Sequence, residues 1–216
     1  MAAFGTNLAT TTASASGTLP TSLGGTTVRV KDSSGTERFA RIAFVSPYQV
    51  NYVMPTGTSF GSAVVTITNS NQVSSLGGAL ISFVGPGAYS ANGTSNGVAS
   101  AYILRIKANG TQSYEAIAQW NAAQSQYVFL PLNLGPPGEQ VFLIQYATGF
   151  RYWLSGVTAT IGGVGTPVTY AGLLNYDGLD QINLGAIPRS LIGAGIVNVV
   201  TIADGRTANT VQIQIQ

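Results

Sequence analysis

Apolar and polar residues alternate at every second position along much of this chain, and no other feature restricts its fold as tightly. The pattern runs through TTVRVK (Thr26 to Lys31), SAVVTIT (Ser62 to Thr68), AYILRIK (Ala101 to Lys107), QYVFLPL (Gln126 to Leu132), VTATI (Val157 to Ile161) and the terminal TVQIQIQ. A period of two sends successive side chains to opposite faces of an extended backbone, so each segment reads as a strand with one face toward a core. Turn signals lie between them: Gly24-Gly25, Ser33-Ser34-Gly35, Asn109-Gly110, Gly162-Gly163 and Asp204-Gly205. Their spacing is that of sheets built from hairpins. The nearest approach to a helical period, YEAIAQWNAAQ (Tyr114 to Gln124), sits between two strand patterns and reads better as strand and turn. The expected fold class is all-β.

The chain also repeats itself. SPYQVNYVMP (Ser46 to Pro55) and GLDQINLGAIP (Gly178 to Pro188) share a Gln, an apolar residue and an Asn, with a Pro a few residues later. Around the first copy, Phe4-Gly5-Thr6-Asn7-Leu8 leads through a Ser/Thr-rich loop to TTVRV, FARIAFVSPYQVNYVMP and GSAVVTITN. Around the second, Tyr146-Ala147-Thr148-Gly149-Phe150 leads to SGVTATIGG, PVTYAGLLNYDGLDQINLGAIP and GAGIVNVVTIADG. Self-similarity over this length predicts two copies of one β-sandwich unit. Within each Gln-apolar-Asn strand, Val50 or Ile182 faces the core, Gln and Asn take the other face, and Pro55 or Pro188 ends the strand. Residues 1–84 form the first expected domain and residues 85–216 the second. The stretch from Gly85 to about Gln140 has no counterpart in the first copy. It opens on a Gly/Ser/Asn linker and continues as a three-stranded meander at VASAYILRIK, QSYEAIAQW and QYVFLPL. The meander is assigned to the second domain, with a separate small sheet as the alternative.

Several stretches together carry a family resemblance: FGTNLA, LPTSLGGTTVRV, FVSPYQVNYVMP, GPGAYSANGTSNGVA, QVFLIQYATGF, VTATIGGVGTPVTYAG, GLDQINLGAIPRSL and GRTANTVQIQI. In this order, over nearly the whole chain, they resemble a carboxy-terminal domain of uncharacterised function found in large secreted proteins of Solibacter and other acidobacteria. The resemblance implies two tandem immunoglobulin-like sandwiches of the IPT/TIG kind, secretion, and a place at the end of longer bacterial proteins. It brings no catalytic residues. The chain departs from the family pattern at its start, where Met1-Ala2-Ala3 stands in place of an apolar strand before FGTNLA.

Composition narrows the function classes. Only 7% of the 216 residues are charged, against roughly a quarter in an ordinary soluble domain. The polar surface is therefore Thr, Ser, Asn and Gln, which repel neighbouring copies weakly, and self-association is expected. The 9 basic and 7 acidic residues form no cluster, which argues against nucleic acid as a partner. No apolar run approaches the ~18 to 20 residues of a membrane span, since VFLIQYATGF and LIGAGIVNVVTIA are short and broken by Gly or Asn. MAAFGTNLAT lacks the basic and apolar regions of a signal peptide; a processed or truncated start is compatible with it.

With no His and no Cys, the common nucleophile–base pairs and most zinc sites are unavailable. No enzyme activity, metal or cofactor is expected. Asp177 and Asp180, with Asn175, offer oxygen ligands for Ca²⁺ but fall short of a known ligand set; a Gly-centred turn is the competing reading. IGGVGTP (Ile161 to Pro167) has the glycines of a phosphate loop without a following helix. Trp120, Tyr152 and Trp153 are candidates for stacking on a sugar ring, against the plainer reading as core or interface aromatics. Asn92 and Asn109 match the glycosylation acceptor pattern, and both also fit turns.

The self-comparison supplies the main functional expectation. EQVFLIQ (Glu139 to Gln145) precedes YATGF in the second copy, whereas three residues precede FGTNL in the first. The first sandwich is thus expected to lack a strand, leaving Phe4, Gly5, Thr6, Asn7 and Leu8 at an acceptor edge for β-strand addition. The expected function is an extracellular structural or interaction module, a homo-oligomer or filament or surface-layer subunit assembled by strand addition. TVQIQIQ is either the donor or the last strand of its own unit. The alternative is a polysaccharide-binding or adhesion module of a larger secreted protein.

Overall fold

A computed structural model describes residues 1–216. Its regular structure is strand, all named strand pairs are antiparallel, and the one helical element is a single 3₁₀ turn at Arg189–Leu191. The chain divides into two compact units, Met1–Phe83 and Val84–Gln216.

The first unit contains β1 (Ala2–Phe4), β2 (Ala13–Ser14), β3 (Ser22–Leu23), β4 (Thr26–Lys31), β5 (Glu37–Phe39), β6 (Arg41–Val45), β7 (Gln49–Val53), β8 (Gly61–Thr68) and β9 (Ser74–Ile81). One sheet has the order β1-β7-β6-β2; the other has β3-β4-β8-β9, with β5 also pairing β4. Alternation does what the period demands. Val28 and Val30 of β4 are buried while Arg29 and Lys31 face solvent. Together with Ile42, Val50, Tyr52, Val65 and Ile67 they form a core drawn from both sheets. The turn after β4 is organised by the Asp32 carboxylate, which accepts hydrogen bonds from the Ser34, Thr36 and Ser59 N–H groups and from Arg38.

The second unit contains β10 (Gly87–Ala88), β11 (Ala101–Ile106), β12 (Gln112–Ala116), β13 (Ala118–Asn121), β14 (Gln126–Phe129), β15 (Gln140–Thr148), β16 (Val157–Ile161), β17 (Val164–Thr166), β18 (Val168–Tyr176), β19 (Leu179–Leu184), β20 (Gly195–Ala203), β21 (Arg206–Thr207) and β22 (Val211–Ile215). Its larger sheet runs β12-β11-β15-β19-β18, with β10 also pairing β15; a second runs β17-β16-β20-β21, with β22 also pairing β20. Leu143, Ile161, Ile182, Leu184, Val199, Val211 and Ile213 belong to one core.

Matched pairings carry the repeat into three dimensions. β1-β7-β6 corresponds to β15-β19-β18, and β4-β8-β9 to β16-β20-β22. Val50 and Ile182 are fully buried. Beside them the flanking polar side chains bond one another, Gln49 Nε2 donating to Asn51 Oδ1 at 2.8 Å and Gln181 Nε2 to Asn183 Oδ1 at 2.7 Å. The corners beyond the matched first strands agree as well. Asn7 and Gly149 both take the left-handed backbone, at φ 57° and 75°, a conformation that Gly and Asn adopt most readily, and each is followed by a buried apolar residue, Leu8 or Phe150.

Two sequence expectations change. The first strand of the first unit is short rather than missing, because Ala2–Phe4 pair with Gln49–Asn51. The meander is not one three-stranded sheet. Ile117 is turned into the core and splits QSYEAIAQW into β12, which pairs β11, and β13, which pairs β14 as a two-stranded sheet of its own.

Candidate functional site

Between β1 and β9, the free edges of the first unit's two sheets, lies a cleft of about 390 Å³. One wall is Met1 to Phe4, the other Ser75 to Ala79, and Gly5, Thr6 and Leu8 also line it. Tyr52, Val65 and Ile67 reach it from the core, so apolar groups of the interior form its floor. Burial beside the cleft raises the Tyr52 hydroxyl and lowers the Met1 amine from their ordinary ranges.

The second unit closes the corresponding edges. β11 lies along β15 from Ala101↔Gln145 to Ile106↔Gln140, where β1 has no outer neighbour. Val98 and Leu132 form parallel bridges to Gln212 and Ile215 of β22, where β9 has no outer neighbour. The Ala99 N–H donates to the Gln212 carbonyl and the Leu132 N–H to the Gln214 carbonyl. Ala99, Ile103, Leu132 and Leu134 are buried in that core. The inserted stretch therefore serves as the cover that the first unit does not have.

Of the five residues expected at an acceptor edge, only Phe4 is in a strand, and it is 76% exposed. Gly5 and Leu8 donate their N–H groups to the carbonyls of Tyr48 and Pro47, and Asn7 turns left-handed, so Gly5 to Leu8 form a hook rather than an extended edge. The longer open edge is β9, with the sequence SSLGGALI, which the periodicity did not single out. Its Gly77-Gly78 pair hides the pattern, since Gly is depleted in strands. A closer reading of Ser74, Leu76, Gly78, Leu80 and Ser82 at every second position would have found it.

The remaining candidates lie apart. Trp120 meets Tyr127 edge-on at 5.4 Å, and Trp153 donates its ring N–H to the Ala171 carbonyl. No ring contact joins Trp120 to Tyr152 or Trp153, and both Tyr152 and Trp153 flank the corner after β15. The Asn92 side chain is held by both backbone groups of Tyr127, whereas Asn109 is exposed and accepts from the Thr111 N–H in the β11–β12 turn. Charged groups are committed to holding corners. Asp180 is fully buried and accepts from the Phe150 N–H and the Arg151 guanidinium, bonds that engage both its carboxylate oxygens. Asp204 accepts the N–H groups of Leu154, Ser155 and Gly156, which hold its carboxyl below the usual range. Arg105 is 8% exposed and bonds Glu115, Glu139 and the Asn133 carbonyl. The Glu115 bond is the main cause raising the Arg105 guanidinium, and it lowers Glu115 in return.

No protein-family model matches this chain, and no curated protein matches it.

Proposed function

We propose that this protein is an extracellular structural and interaction module, built from two immunoglobulin-like sandwich units, whose first unit takes a β-strand from another chain along the cleft between β1 and β9. The observation that carries this reading is the contrast between matched edges: open in the first unit, covered by the inserted stretch in the second. A strand entering the cleft would gain main-chain hydrogen bonds from an unpaired edge and lay alternate side chains on an apolar floor. The low charge, 7% of residues, leaves little repulsion between copies to oppose it. Extracellular placement rests on the resemblance to acidobacterial secreted-protein domains. A glycan-binding role has weaker support, because Trp120 packs against Tyr127 and the Trp153 ring N–H is taken by the Ala171 carbonyl.

The test is self-complementation. AYILRI, which as β11 covers β15 in the second unit, is fused through a short Gly/Ser linker ahead of Met1 to lie along β1, and association is followed by sedimentation velocity. The fused chain is expected to associate less than the unmodified one. Equal association would show that the cleft does not drive assembly.

A further inference from the structure

Among the edges of this molecule, β9 stands apart. It is eight residues long, and its ladder with β8 runs without interruption from Gly61↔Ile81 to Thr68↔Ser74. It has no charged residue, no Pro and no bulge, which are the devices that normally keep edges from pairing. The other long edge, β18, is broken by two register shifts; β12 carries Glu115, and β1, β2, β3, β5 and β17 are two or three residues long. The Asn69 N–H bonds the Val73 carbonyl at the hairpin end. That bond sets the parity of the ladder, so that Ser74, Leu76, Gly78 and Leu80 turn their N–H and C=O groups away from β8.

The side chains at those positions read Ser-Leu-Gly-Leu, and Ser82, one residue past the strand, completes in sequence a palindrome centred on Gly78. Leu76 is 75% exposed and Leu80 is 68% exposed, with Val64 beside them on the same face. A two-fold interface requires a surface complementary to itself, in which residue i meets residue j and j meets i. Symmetry supplies that condition for any strand, and here the order of residues also puts Leu opposite Leu and Gly opposite Gly. The other donor considered from the sequence is already used: TVQIQIQ forms β22, with Val211, Ile213 and Ile215 buried in their own unit.

Resting on the strand-addition reading, we infer that the strand received by β9 is the β9 of a second copy of this chain, antiparallel, with the two-fold axis at Gly78. Leu76 of each copy then lies opposite Leu80 of the other, and the two edge sheets join into one continuous sheet. The product is a closed dimer through this edge, in place of a head-to-tail filament.

The absence of Cys gives a direct test of register. A Cβ at Gly78 meets nothing within 4 Å, and Gly78 has no positive φ, so Gly78→Cys should leave the fold intact. On the axis, its two copies face each other as a hydrogen-bonded pair about 5.5 Å apart at Cα, within disulfide reach. In Leu76→Cys the two thiols lie four residues apart along the strands, about 13 Å, and cannot join. Under mild oxidation Gly78→Cys is expected to give a covalent dimer at dilutions where Leu76→Cys stays uncoupled, while the Leu76→Cys/Leu80→Cys pair couples. In Leu76→Lys/Leu80→Lys, like charges face each other across the axis, and association should weaken by about tenfold or more. Circular dichroism confirms that each variant is folded. If the chain associates, and fused AYILRI abolishes this, but Gly78→Cys couples no better than Leu76→Cys, then strand addition stands and β9 pairing is overturned. If the unmodified chain is a monomer at every concentration tried, both are overturned.

Discussion

Gln145 is fully buried in the second unit, and neither its Oε1 nor its Nε2 has a hydrogen-bond partner. It sits on β15 opposite Ala101 on one side and Ile182 on the other, and Leu143 and Ala147 share its inward face. An unpaired buried amide costs about 1 to 3 kcal/mol relative to its hydration in the unfolded chain. Met has nearly the same length and shape and no strong polar group, so Gln145→Met removes that cost without opening a cavity. The expected gain is about 1 to 3 kcal/mol, and for a unit of this size each kcal/mol raises the melting temperature by about 3 to 6 °C. Urea unfolding of the full chain, followed by tryptophan fluorescence, measures it, since both Trp120 and Trp153 lie in the second unit. Gln145→Ala serves as the cavity control and should be less stable than Gln145→Met. A Gln145→Met chain less stable than the parent by more than about 1 kcal/mol would refute the reasoning, because it would mean that the amide is satisfied in solution.

Two further outcomes are expected. The Asp32 carboxyl is held well below the usual range, first by the Ser34 side chain and then by the Ser59 N–H, Arg38 and Thr36; a depressed folded value stabilises above the unfolded value near 3.9 and ceases to as pH falls. Asp32→Asn should therefore be less stable than the parent at neutral pH, with the gap narrowing below about pH 4, as measured by urea midpoints at each pH. Val50→Asp and Ile182→Asp each place an unpaired charge at a fully buried site and should cost more than about 4 kcal/mol; limited proteolysis should then cut within the unit that carries the change.

What could be read in the sequence follows from where one face of a strand is buried. β4, β8, β11, β16 and β22 alternate because they are half-buried, and the Gln-apolar-Asn strands were legible because Val50 and Ile182 point inward between side chains that bond each other. β1 was not legible, since three residues hold no period and its strand character comes from pairing with β7. Gln145 and Arg105 lie on inward faces for which alternation expects apolar residues; Arg105 is tolerated there by Glu115 of the neighbouring strand and by the more distant Glu139, contacts that only the fold reveals. The candidate site was half legible. The comparison of the two copies pointed to an open first unit, but it placed the acceptor edge at Phe4 to Leu8, where the backbone bends back onto Pro47 and Tyr48. The opposite wall, β9, was obscured by two glycines.

The two units pose the same physical problem and meet it differently. An edge strand offers unpaired N–H and C=O groups that must find water or another strand, and charge, Pro or irregularity biases the choice toward water. In the second unit the β15 edge is taken by β11, the outermost β12 has Glu115 tied to Arg105, and β22 is bridged by Val98 and Leu132. In the first unit β9 has none of these, and the exposed Leu76 and Leu80 shift the balance further, because pairing would remove them from water as well as satisfy the backbone. Surface charge does not compensate, with 9 basic and 7 acidic residues spread over 216. A neutral, regular, eight-residue edge beside an apolar cleft is for these reasons better suited to pairing than to solvation, and the near-symmetric order about Gly78 is what favours a second copy in the pairing proposed above.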